Sequence, residues 1–230
     1  MVEHHYSGTF PADVHRVGLF HGVDLVGVAV YSNPPTAKVL TGPFPHLEPY
    51  AESLELGRFV LLDDVPANAE TWFLAQSFRL IAAEGVRGVV SFADPMPRVD
   101  EDGNQISPGH VGTIYQAANG LHTAGRSTAR TELLGRDGRV ANARALQKIR
   151  KQEQGHEYAE KQLIALGARV PRAGEDMTRW LREALDAAGY RRVRHPGKYR
   201  YLFTLGTKSE RRRVAIAMPA APYPKEVISP

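Results

Sequence analysis

Two β-type runs rich in Val, Leu and Phe open the readable pattern, Val14–Phe20 and Asp24–Tyr31, with His21-Gly22-Val23 between them. They predict a hairpin whose second strand is stopped by Ser32-Asn33-Pro34-Pro35. A Pro- and Gly-bearing loop around Thr41-Gly42-Pro43-Phe44-Pro45 follows, then a strand over Leu54–Leu62 that ends at Asp63-Asp64-Val65-Pro66. Ala67-Asn68-Ala69-Glu70 starts a helix running to about Glu84, with Phe73, Leu74, Leu80 and Ile81 at helical spacing for packing on a sheet. Gly85 ends it, and Val86–Ala93 reads as the next strand. Strand, helix and strand in that order predict a parallel crossover. Beyond an acidic loop at Asp100-Glu101-Asp102-Gly103, His110–Asn119 reads as a short helix and Leu121–Leu134 as a strand with its return turn.

The pattern then changes. Three helices are predicted over about 140–152, 154–167 and 175–188, punctuated by Gly167 and Gly174, with Arg and Lys on their polar faces. Lys198–Leu205 returns to a β pattern, and residues 208–230, with Arg211-Arg212-Arg213 and several prolines, read as a partly disordered tail. At 230 residues and 43% apolar, the chain holds enough material for one full domain core or a core with an appended lobe.

The net charge of +4 is unevenly spread. Residues 1–120 carry 6 Lys+Arg against 14 Asp+Glu, and residues 121–230 carry 23 against 11. A cation excess confined to one half is the electrostatic footprint of a polyanion, here nucleic acid. No apolar run is long enough to span a bilayer, and no basic helix carries an exposed aromatic face to bind an acidic membrane surface, so no membrane partner is expected. The absence of cysteine excludes disulfides, thiolate metal sites and cysteine nucleophiles, and suits a reducing cytoplasm.

Candidate chemistry collects at strand ends. Arg58 sits within an otherwise apolar strand, a costly place for a cation unless a carboxylate or phosphate meets it. Asp94 closes a strand at the end where open α/β sheets place ligands. The alternatives are a structural ion pair for Arg58 and an Asp-Pro turn for Asp94. His5-Tyr6-Ser7 adds polar groups near the N-terminus. The loop and first helical turn at Pro66, Asn68, Ala69, Glu70 and Thr71 offer a helix N-terminus to a pyrophosphate, or simply a capped helix. They lack the glycines of both the P-loop and the Rossmann turn.

The helix bearing Tyr115, ahead of Gly120-Leu121, looks like the element of GNAT acetyltransferases whose tyrosine hydroxyl protonates a leaving coenzyme A thiolate. His5-Tyr6-Ser7, Leu56-Gly57-Arg58, Asn68–Leu74, Ser91–Pro95, Tyr115–Gly120 and His195–Tyr201 then occur in an order that resembles the Mom proteins, over about residues 4–206. The resemblance implies a GNAT-like enzyme that converts adenine N6 in phage DNA to a carbamoylmethyl-bearing form and so shields it from host restriction. It implies a reaction centre lined by His5, Tyr6, Ser7, Arg58, Asp94 and Tyr115. The acyl donor, acetyl-coenzyme A or a relative, would lie on a modified loop, because the superfamily's Gln/Arg-x-x-Gly-x-Gly/Ala is absent at Pro66–Thr71. Iron would be held by His5 and Asp94.

The expected fold class is α/β, a GNAT-like mixed central sheet flanked by helices, with a basic helical insertion before the last strand. Its expected segments are a catalytic core (1–134), a DNA-binding insertion (135–190), a strand returning to the core (191–206) and a basic tail (207–230). Arg144, Lys148, Arg150 and Lys151 are the expected DNA contacts. Adenine N6 lies within the stack, so a flipped or single-stranded base is expected, with Tyr6, Phe92 or Tyr115 to stack on it. The cell compartment would be the host cytoplasm during infection, and a homodimer is compatible with the sequence. Two other functions fit parts of the pattern: a GNAT enzyme acylating a small-molecule or protein amine, and a non-catalytic nucleic-acid-binding protein.

Overall fold

The computed structural model describes residues 13–66 and 68–227. The chain divides into two compact units. One contains the residues up to Pro95, Gly109–Thr128 and the segment from Gly197 onward. The other contains Met96–Pro108 and Ala129–Pro196.

The first unit is built on a six-stranded mixed sheet. Strands β1 (Asp13–His21), β2 (Asp24–Ser32), β3 (Ser53–Leu61), β4 (Gly88–Ala93), β7 (Leu121–His122) and β10 (Tyr199–Thr204) lie in the order β1-β2-β3-β4-β10-β7. The hairpin β1–β2 forms where the turn residues placed it, and Gly22 takes φ +63° at its tip. β3 and β4 are parallel and are joined by the crossover helix α2 (Ala69–Ala83), while β10 enters antiparallel beside β4. This is an α/β fold with a mixed central sheet flanked by helices.

Alternation in the strands divides the core into two layers. On one face α2 buries Phe73, Leu74, Ser77 and Ile81 against Ala29, Tyr31, Leu54, Leu56, Val89 and Phe203. The short helix α3 (Thr113–Ala117) adds Tyr115 to the same layer. Leu80, expected at this interface, is 54% exposed, and Ser77 takes the inward place through a hydrogen bond to Tyr31 (2.6 Å). On the other face Leu40 of α1 (Lys38–Thr41), a helix the periodicity did not reveal, joins Phe44, Val90 and Leu202. The expected tail is ordered through residue 227. It contains α7 (Lys208–Arg213), started by a Thr207–Glu210 capping box, and packs Val214 and Ile216 on the second layer.

In the second unit, α4 (Ala143–Lys151), α5 (His156–Ala165) and α6 (Met177–Ala187) form within two or three residues of the expected boundaries. They bury Leu146, Ile149, Leu163, Trp180, Leu181 and Leu185 together. Asn142 and Asp176 cap the first and last of these helices with side-chain oxygens, as residues of those types do. The unit also holds two short antiparallel ladders, β5 (Arg98–Val99) with β6 (Gln105–Ser107) and β8 (Arg130–Leu134) with β9 (Arg191–His195). The single strand expected over Leu121–Leu134 is therefore two strands, one in each unit. The segment expected as one returning strand over 191–206 likewise divides between β9 and β10.

Candidate active site

Two charged side chains meet where β4 ends and β10 begins, and His110 approaches them through its main-chain N–H. Tyr199 is the partner of Ala93 in the antiparallel register, so the next pair outward is Lys198 and Asp94. Lys198 Nζ stands 3.8 Å from Asp94 Oδ2, and Asp94 is 1% exposed. His110 joins from the chain returning after residue 108, and its N–H donates to the Asp94 carbonyl (2.7 Å). Burial lowers the His110 pKa below the ordinary 6.5; Asp94 opposes that shift and Lys198 reinforces it. The lowered pKa favours the unprotonated imidazole, the state a proton acceptor needs.

The segment carrying Lys198 is strapped in place. Its N–H donates to Ser127 Oγ (2.8 Å) and its carbonyl accepts from Ser127 N–H (2.9 Å). The chain passes so close at Gly197 (φ +97°) that a Cβ there would stand 2.0 Å from the Ser127 carbonyl oxygen. Only glycine fits such an approach.

Arg58 and Glu55 complete the charged set. Tyr31 pairs with Leu56 but Val30 with Arg58, so Gly57 is an extra residue in β3, a bulge. Before it Leu54 and Leu56 face the α2 layer; after it Phe59 and Leu61 do. The bulge therefore turns Arg58 onto the same sheet face as Glu55. Burial raises the Glu55 pKa, and Lys198 and then Arg58 lower it. Arg58 Nη1 also donates to the Gly57 carbonyl (2.6 Å).

Of the residues expected at the reaction centre, His5, Tyr6 and Ser7 lie outside the described residues. Arg58 and Asp94 share this charged set through Lys198 and Glu55. Tyr115 belongs to the α2 layer, buried with Tyr201 and Phe203 at ring-centroid separations of 5.4 and 6.2 Å. The structure does not bring it beside Arg58. Phe92, one of the expected stacking residues, carries the Arg200 guanidinium 5.6 Å from its ring centre.

The expected cofactor loop is mostly at the surface: Pro66, Asn68 and Glu70 are exposed, and Ala69 and Thr71 half-buried. Asn68 stands at the N-cap of α2 without a side-chain capping bond. Thr71 is the only one of the five on a groove of about 1150 Å³, which follows α2 past Phe78 and Arg79 to Phe203 and Arg211. No group of three His, Asp or Glu side chains forms a metal site among the described residues. Lys198 supplies an ammonium 3.8 Å from Asp94, and His5, the other residue expected to hold iron, lies outside the described residues.

His110, Lys198 and Glu55 were not singled out from the sequence. Lys198 lay within the quoted His195–Tyr201 motif, but its meeting with Asp94 is a matter of strand register. Nothing near His110 in sequence points to Asp94. Of the expected DNA contacts, Arg144 is paired with Glu153 (2.5 Å), Lys148 is half-buried, and Arg150 and Lys151 are exposed on α4.

The fold and this charged set define an α/β protein with a buried carboxylate, a lysine and a half-buried histidine at the end of a sheet. The chain belongs to the Mom protein family, whose model matches residues 1–225. That family is one of phage DNA modification. Among solved structures, a tandem GNAT protein from the clavulanic acid biosynthesis pathway, without acetyl-coenzyme A, aligns at 10% identity with a TM-score of 0.34. The alignment covers 86% of this chain and 62% of that one, so this chain spans about three fifths of that length. No curated protein matches. Among the described residues no helix is long and apolar enough to cross a membrane.

Proposed function

We propose that the protein modifies adenine at N6 in phage DNA, attaching the carbamoylmethyl-type group that protects it from restriction, with Asp94, His110 and Lys198 at the reaction centre. The observation that carries this reading is the buried Asp94 carboxylate beside a histidine whose pKa is lowered. An exocyclic amine conjugated to a purine is a weak nucleophile, and a positioned base assists its attack. His110 is the base, Asp94 orients and stabilises its protonated form, and Lys198 keeps Asp94 ionised. The base must leave the stack to reach them.

An acyl donor such as acetyl-coenzyme A has support from one feature of the sheet. β3 and β4 pair only over Ser53–Leu56 and Gly88–Ser91, and β3 then runs on five residues without a β4 partner. Parted parallel strands present main-chain donors and acceptors to an extended, amide-bearing chain such as pantetheine. Attack of N6 on such a thioester carbonyl would release the coenzyme A thiol and give an N6-acyl adenine. A carbamoylmethyl group, however, joins N6 through its methylene carbon and carries an additional nitrogen. The elemental composition of the product therefore distinguishes it from simple acylation.

The test is mass spectrometry of nucleosides from DNA co-expressed with the protein. The wild type should yield a nitrogen-bearing adduct of deoxyadenosine. H110Q should reduce its formation by about 10²–10⁴-fold, with D94N comparable and both variants folded. Because the folded His110 pKa lies below 6.5, modification should hold at neutral pH and decline only as pH falls through that lowered value. Stability should change with the same sign: below 6.5 the unfolded chain binds a proton the folded one refuses, so stability falls on acidification. H110Q should lose that acid sensitivity. Unmodified DNA from the wild type, or full modification by H110Q, would refute the reading.

A further inference from the structure

The second unit contains a cavity of about 200 Å³ that the sequence did not suggest. Arg150 of α4, Arg182 of α6 and Arg192 of β9 converge on it from three elements. Leu133, Leu181 and Leu185 form its apolar lining, and Thr178 and Tyr190 add hydroxyl groups. Asp186 is the one carboxylate among the lining residues.

Several other arginines of this unit are matched to carboxylates, while Arg139, Arg172, Arg191 and Arg194, which do not line the cavity, have no ion pair within 4.0 Å among the described residues. Arg98 and Arg130 meet on Glu132, Arg144 meets Glu153, and Arg169 meets Glu175 and Glu183. Arg150, Arg182 and Arg192 have no ion pair within 4.0 Å among the described residues, and Asp186 does not reach any of them. Three like charges gathered around one hollow repel each other unless an anion enters. Guanidinium groups suit a phosphate in particular, because each can donate two parallel hydrogen bonds to a pair of its oxygens.

We infer that Arg150, Arg182 and Arg192 form a pocket for one phosphate of the DNA backbone. The inference rests on the reading of DNA as substrate, and it places the phosphate contact on a different set of side chains from Arg144, Lys148 and Lys151. Arg150 alone is common to this pocket and the contacts expected from the sequence.

The experiment is fluorescence-anisotropy titration of the full chain with a labelled duplex of arbitrary sequence over a salt series. R150Q/R182Q/R192Q should bind at least tenfold more weakly at low salt. The slope of log K against log salt should fall by about 0.9, the value for one phosphate contact on duplex DNA. R150K/R182K/R192K preserves charge but not the forked geometry and should also bind more weakly than wild type. Thermal melting checks that both variants are folded, as expected for three exposed side chains. An unchanged slope in the Gln variant, wild-type affinity in the Lys variant, or no duplex binding by the wild type would each overturn the pocket. The readout is binding alone. A wild type that binds through this triad but leaves adenine unmodified would refute the adenine reading and leave the pocket standing.

Discussion

The two units use charge in different ways. The first has 13 Lys+Arg and 13 Asp+Glu, and gathers opposite charges into a buried set around Asp94. The second has 16 against 12 and leaves three arginines around a hollow. Divided along the chain, the balance is −8 for residues 1–120 and +12 for residues 121–230. Divided by compact unit, it is 0 and +4. The difference arises mainly because the segment from Gly197 onward, with 7 Lys+Arg and 2 Asp+Glu, belongs to the first unit, while the acidic Met96–Pro108 belongs to the second. A charge gradient along a sequence therefore indicates a polyanion partner more safely than it locates the surface that meets it.

Substitutions within each unit can break or sharpen this contrast. The largest effect should come from G197A in the first unit, where a methyl would collide with the Ser127 carbonyl at a positive φ. A loss of about 4 kcal/mol is expected, because the strap holding Lys198 must move. Chemical denaturation would measure it, and a near-neutral result would mean that the strap is loose. E132Q in the second unit comes next. Glu132 is 8% exposed and serves both Arg98 and Arg130, so its neutralisation leaves the Arg98 guanidinium largely buried without its counter-charge. About 3 kcal/mol is expected. Differential scanning calorimetry of the two variants should show whether each substitution shifts its own transition, which would make the units separate cooperative bodies, or whether both shift a single one. Y115F is the smallest. It keeps the ring between Tyr201 and Phe203 and removes one hydroxyl, which should cost about 1 kcal/mol. Modification at wild-type rate in that variant would assign Tyr115 to packing; a large rate loss with an unchanged melting temperature would assign it to chemistry.

Regular elements were legible where a local signal existed. The hairpin around Gly22, the crossover helix before β4 and the three helices of the second unit each had periodicity, caps or glycine breaks of their own. α1, at four residues, is too short for a period to show, and β5–β6 is too short for alternation. The site was legible only in part. Asp94 was readable as a polar group closing a strand. Arg58 was readable as an anomaly, but strict alternation from Leu54 and Leu56 would point it into the core. One extra residue at Gly57 reverses that. Tyr115 was grouped with Asp94 through resemblance, whereas the short helix α3 packs it into the α2 layer. His110 comes to Asp94 after an excursion through another unit, and no spacing rule encodes such a return.

The second unit is threaded into the first twice, once between Pro95 and Gly109 and again between Thr128 and Gly197. The shorter insertion brings Arg98 to Glu132 in the longer one, so neither has its full set of partners alone. For heredity this means that a relative cannot acquire a new second unit by exchanging one continuous stretch of gene. Two separate stretches must be replaced together, and their junctions fall within two residues of Asp94, His110, Ser127 and Lys198. Recombination at this locus would therefore act on the unit that holds the arginine-lined cavity and on the edges of the candidate active site at the same time.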